Sequence, residues 1–167
     1  MKRLVVCMAL AICSFSVSAQ VENSEKYLKY RWKNVPASAY IQYAKTGNAA
    51  LFNGLVENIA ALNALIEAEA AEKQGKYIYQ IINGVYYFSN MPAWVNPVVD
   101  DMKGNVIPDP GKPLVTSTSA EISSTISLAL QLFETQFNEI DPMIATTARR
   151  AMKTKNGIIE NSEMTKQ

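Results

Sequence analysis

The sequence predicts an all-α protein. Three observations lead to that. Apolar residues recur at steps of three and four over 51–66 and again over 122–137, the period of a helix with one buried face. Alanine, the strongest helix former, is frequent through the first of these stretches. Five of the seven prolines fall between 91 and 117, leaving the helical signals before and after them undisturbed.

The elements follow in chain order. Residues 1–19 carry Lys2 and Arg3, an apolar run and Val17-Ser18-Ala19. That is the pattern of a secretory signal peptide cleaved before Gln20, and it predicts a periplasmic or secreted protein. A permanent anchor is the alternative, but the run falls short of the ~20 apolar residues a stable span requires. Residues 20–35 are polar with Tyr27, Tyr30 and Trp32 interspersed, and read as an irregular entry segment. A helical domain is expected over 36–157. Pro36 suits a first helical position, and PASAYIQYAK runs to a stop at Gly47. Asn48 can cap the next helix. Its expected buried face is Leu51, Phe52, Leu55, Val56, Ile59, Leu62, Leu65 and Ile66, and Gly75 is placed to end it.

Residues 77–88 admit two readings. Asn83-Gly84 suits a two-residue β-hairpin turn. Yet Ile78, Ile81, Ile82, Val85 and Tyr86 stay in helical phase across it, which favours a helix. Gly84 then costs about 1 kcal/mol relative to alanine, a cost that makes sense where a backbone or a ligand approaches closely. With a short link at Gly75, this helix and the one before it form an antiparallel helix hairpin.

The proline-rich loop 91–117 is long enough to suggest function or disorder. Thr118 and Glu121 have capping-box spacing, opening a helix whose stripe is Ile122, Ile126, Leu130, Phe133 and Phe137. Asp141-Pro142 starts a last helix, with Arg149, Arg150, Lys153 and Lys155 toward its C-terminal end, where the helix dipole favours cations. Residues 158–167 read as a disordered tail.

Composition excludes several chemistries. There is no histidine, and both cysteines, Cys7 and Cys13, lie in the signal. Imidazole-dependent triads, thiol nucleophiles and thiolate metal sites are therefore unavailable to the mature chain. No catalytic residue, metal site or cofactor is expected. Removing Lys2 and Arg3 leaves 14 basic against 15 acidic residues, a net charge of −1. No basic field is left to attract nucleic acid. Asp100, Asp101 and Asp109 suit a hard cation but read first as solvated loop carboxylates. Glu57, Glu67, Glu69 and Glu72 read as a solvated helix face. The candidate carbohydrate contacts are Tyr86, Tyr87 and Trp94, whose rings suit stacking on pyranoses, with burial in a core as the alternative.

The stretch EAAEKQGKYIYQIINGVYYFSNMPAW, followed by VIPDPGKPLVTSTSAEISSTISLALQLFETQFNEIDPMIATTARRAMK, resembles the early part of secreted bacterial heparinase II/III-like polysaccharide lyases. YRWKNVPASAYIQYAKTGN is similar as well, so the likeness covers roughly residues 27–155. It implies that the helix hairpins open an incomplete (α/α) toroid, and that the partner is an acidic polysaccharide cleaved by β-elimination. The family's catalytic tyrosine and histidine come from later segments, and no position here matches them. The resemblance thus implies an N-terminal portion of a lyase, inactive without a missing C-terminal part. A small secreted carbohydrate-binding or structural helical protein is the alternative. As an isolated piece of a toroid, the chain is expected to leave Phe133, Phe137, Ile81 and Val85 partly exposed for want of neighbours.

Overall fold

A computed structural model of the chain describes residues 25–112 and 114–156. The expected signal peptide and C-terminal tail lie outside the described residues. Within them the protein is all-helical, with no strand. The α-helices are α1 (Ala37–Thr46), α2 (Asn53–Glu72), α3 (Ile78–Asn90), α4 (Ser117–Ile140) and α5 (Met143–Asn156). Short 3-10 turns precede α1 at Glu25–Lys29 and α2 at Ala49–Phe52. Residues 78–90 are helix and not a β-hairpin, as their apolar phase requires.

The helix ends follow capping chemistry, with four departures from expectation. Pro36 sits just outside α1 in extended conformation and so is the N-cap, while Gly47 closes the helix at φ 66°. Asn48 does cap, but its Oδ1 accepts from the Ala50 N–H and so starts the 3-10 turn that leads into α2. The stop of α2 falls at Lys73, in the left-handed region at φ 56°, two residues before Gly75. The capping box of α4 lies two residues earlier than Thr118 and Glu121. Thr116 Oγ1 accepts from the Ser119 N–H at 3.1 Å, and Ser119 Oγ accepts from the Thr116 N–H at 2.8 Å. Serine replaces the longer acid at the third position, which is why the glutamate signal misled.

Two carboxylates read as solvated are structural. Glu69 is buried, and its two oxygens accept from the Gly75 N–H at 2.6 Å and the Tyr77 N–H at 2.8 Å. It thereby satisfies donors that the start of α3 leaves open. Asp100 is also buried. It accepts from the Asn96 N–H at 2.8 Å, the Ser117 hydroxyl at 2.7 Å and the Thr118 N–H at 3.3 Å. The proline-rich loop is thus pinned to the N-terminus of α4, where a negative charge is favoured.

The core is continuous. α5 packs on α3 and α4, and α2 packs on both of these as well. Leu55, Leu62, Leu65, Ile81, Phe88, Ile126 and Phe137 fill the space between them. Ala145, Ala148 and Ala151 form the buried face of α5, and their small size lets that helix approach closely. Phe133, Phe137, Ile81 and Val85 are therefore buried, contrary to the expected exposure. Val56 departs the other way, at 53% exposed. A smaller cluster of Ala39, Tyr40 and Phe52 attaches α1.

The entry segment docks through Asn58, a buried amide in the middle of α2. Asn58 Oδ1 accepts from the Lys33 N–H at 3.0 Å and the Tyr30 hydroxyl at 2.9 Å, while Nδ2 donates to the Lys33 carbonyl at 2.8 Å. An otherwise unpaired stretch of backbone is thereby satisfied in both directions.

Candidate functional site

One groove collects aromatic rings and amides. It runs beside α3, holds about 430 Å³, and is lined by Trp32, Asn34, Val35, Asn83, Tyr86, Tyr87, Asn90, Met91 and Pro92. The helical period places Asn83, Tyr86, Tyr87 and Asn90 along one side of α3, at steps of three and four. The opposite wall comes from the entry segment, held by Asn58.

Gly84 explains how these walls meet. A Cβ there would lie 2.4 Å and 2.7 Å from the Trp32 ring atoms Cη2 and Cζ2, and 2.9 Å from Leu62 Cδ1. The close approach that a glycine inside a helix suggested is therefore made by an indole. Trp32 stacks on Tyr87 with centroids 5.9 Å apart and planes 24° apart, and meets Tyr30 and Phe88 edge-on. The Tyr87 hydroxyl donates to the Lys33 carbonyl at 2.6 Å, locking the ring against the entry segment. Tyr86 is 59% exposed and offers its ring to whatever enters. The Trp32 Nε1–H is closed off from solvent and has no acceptor among the described residues. It cannot reach a ligand as the ring now lies.

The three candidate sugar contacts thus separate. Tyr86 and Tyr87 share the groove, whereas Trp94 is corrected to a core residue. It is 1% exposed, and its Nε1–H donates to the Phe88 carbonyl at 2.8 Å. The Phe88 carbonyl also accepts from the Met91 N–H at 3.2 Å, so the indole shares the acceptor that closes α3. Trp32, Asn83 and Asn90 were missed as site residues. Gly84 was the signal for Trp32, because a glycine inside a helix marks the place where another group must approach.

The groove holds no acid–base pair. Burial, with the Glu57 charge second, pushes Tyr30 up to about 12. Burial, with the neighbouring Tyr87 and Asp100 after it, pushes Tyr40 up to about 12. Tyr77 and Tyr87 are also raised, chiefly by burial. A tyrosine acting as base needs the opposite shift. The remaining loop carboxylates are engaged: Asp101 pairs with Lys103 at 2.8 Å, and Asp109 accepts from the Gly111 N–H at 2.9 Å. Among the described residues no cluster of three potential metal ligands occurs. Arg149 pairs with Glu134 at 2.6 Å, tying α5 to α4.

Comparison with known protein families matches none of them to this chain, and comparison with curated proteins finds no match.

Proposed function

We propose that this chain is the opening helical segment of a secreted polysaccharide lyase of the heparinase II/III-like type, and that it binds saccharide without cleaving it. The observation that carries the binding is the groove. A stacked Trp32–Tyr87 pair, an exposed Tyr86 and three asparagines surround a space of sugar size. Aromatic faces with a few polar groups at the edge suit a pyranose ring. The short links between α2 and α3 and between α4 and α5 support antiparallel hairpins, the units of an (α/α) toroid. Leu128 and Leu132, exposed one turn apart on α4, offer a surface to further toroid helices.

A second reading, a self-sufficient secreted binding protein, is favoured by one observation. Phe133, Phe137, Ile81 and Val85 are covered by residues of this same chain.

The full chain, titrated with a panel of oligosaccharides and followed by tryptophan fluorescence, is expected to bind at least one of them. Replacing Trp32 by alanine is expected to abolish that response. Incubation with heparan, alginate or hyaluronan is expected to yield no unsaturated uronide absorbance. Sustained product formation overturns the claim that the chain lacks cleaving chemistry, and absence of any binding overturns the role of the groove.

A further inference from the structure

We infer that the groove accepts an uncharged pyranose and turns away a uronate. This rests on the groove being a saccharide site; in an acidic polysaccharide that alternates uronate with a neutral sugar, the neutral sugar is the one it would seat. Its lining contains no lysine, arginine, aspartate or glutamate. What it presents instead follows from where its amides are committed.

Gln80 Nε2 donates to the Leu28 carbonyl at 2.7 Å. A backbone carbonyl only accepts, so the orientation of the Gln80 amide is fixed. Its Oε1 therefore accepts from Asn83 Nδ2, at 3.3 Å, which fixes Asn83 in turn. Asn90 Nδ2 donates to the Tyr86 carbonyl at 2.7 Å, with the same consequence. Asn83 and Asn90 thus each spend an N–H on the protein. Their Oδ1 atoms receive no donor from the described residues. Tyr87 gives its proton to the Lys33 carbonyl and has its oxygen beside the Asn58 amide, so its polar end is committed to the protein. On each of the two asparagine amides one N–H is spent while both Oδ1 lone pairs stay open, so at the polar edge of the groove Asn83 and Asn90 offer more acceptors than donors.

Hydroxyl groups, or the N–H of an acetamido group, complement such an edge. A carboxylate does not: it brings further acceptors and a negative charge, and it would lose water without gaining a cation. On the adjoining segment Lys33 has its ammonium on Glu57, and neither Lys33 nor Arg31 lines the groove. Val35, Met91 and Pro92 complete the wall with apolar surface, which suits the C–H face of a neutral ring.

The test is a competition among cellobiose, N,N′-diacetylchitobiose and digalacturonate, titrated into the full chain at neutral pH and low salt. Chemical shifts at Trp32 and Tyr86 are the readout. The neutral disaccharides are expected to bind at least about tenfold more tightly than digalacturonate. In Asn90→Lys, which alters an exposed position, digalacturonate is expected to gain about tenfold, because a cation now faces its carboxylate. Equal or tighter binding of digalacturonate by the unaltered chain overturns this inference and leaves the groove as a saccharide site. Failure of all three disaccharides to shift the groove resonances overturns both.

Discussion

At the scale of single residues, Gly84 is where sequence and structure meet most tightly. Helix propensity alone predicts that Gly84→Ala stabilises α3 by about 1 kcal/mol. The Trp32 ring denies the space, and that ring is held by Tyr30, Tyr87 and Phe88, so it cannot simply swing aside. The expected result is a net loss of about 1–3 kcal/mol. Chemical denaturation measures it, together with a shift in tryptophan emission as the indole leaves its seat. Unchanged emission with raised stability would show that the ring moves freely. Only part of this was legible beforehand. The sequence shows that Gly84 needs a close neighbour, but the neighbour lies 52 positions upstream in the chain, and no local pattern names it. Glu69 is the converse case. Its position on a charged helix face disguised it, because its partners are backbone N–H groups, and backbone donors leave no trace in side-chain composition.

At the scale of elements, helix existence was readable and helix termini were not. Periodicity reports which face is buried, and with the proline and glycine signals at Pro36, Gly47 and Pro142 it placed the five α-helices of the described residues. Termini depend on which side chain reaches which N–H. Thr116 and Ser119 won over Thr118 and Glu121 because Asp100, from a distant part of the loop, also caps α4. That cap makes acid sensitivity predictable. Burial alone would raise the Asp100 pKa, but the bonds from Asn96, Thr118 and Ser117 outweigh it and hold the group below its ordinary value of 3.8. The folded state therefore binds this proton less readily than the unfolded chain does. Its contribution to stability is complete above the ordinary value, and is lost as pH falls from there through the lower folded value. Asp100→Asn is expected to cost about 1–2 kcal/mol at neutral pH. The gap to the unaltered protein should close as the solution is acidified through that window. Thermal melts across acid pH check it, and a gap independent of pH would refute the assignment.

At the scale of the whole molecule, the core closes on residues of this same chain. α5 supplies the closure. Its alanine face covers aromatic residues of α4 that the sequence left without a neighbour. Long-range packing of this kind cannot be read from one helix, since each stripe shows that it is buried and not by what. Phe137→Ala is expected to cost about 3–5 kcal/mol while leaving a single cooperative transition, because one cluster of residues spans α2 to α5. Two transitions in the unaltered chain would mean that α5 is only loosely joined.

The seating of Trp32 on Gly84 also makes the groove a composite of two separate parts of the chain. Three of the nine residues lining the groove, Trp32, Asn34 and Val35, belong to an N-terminal arm that has little helix of its own and is clasped by Asn58. Without that arm the helices would keep their shared core but lose one wall of the groove. A protease cut between the arm and α1, followed by loss of the arm, would then part the proposed site from the helical body that carries it.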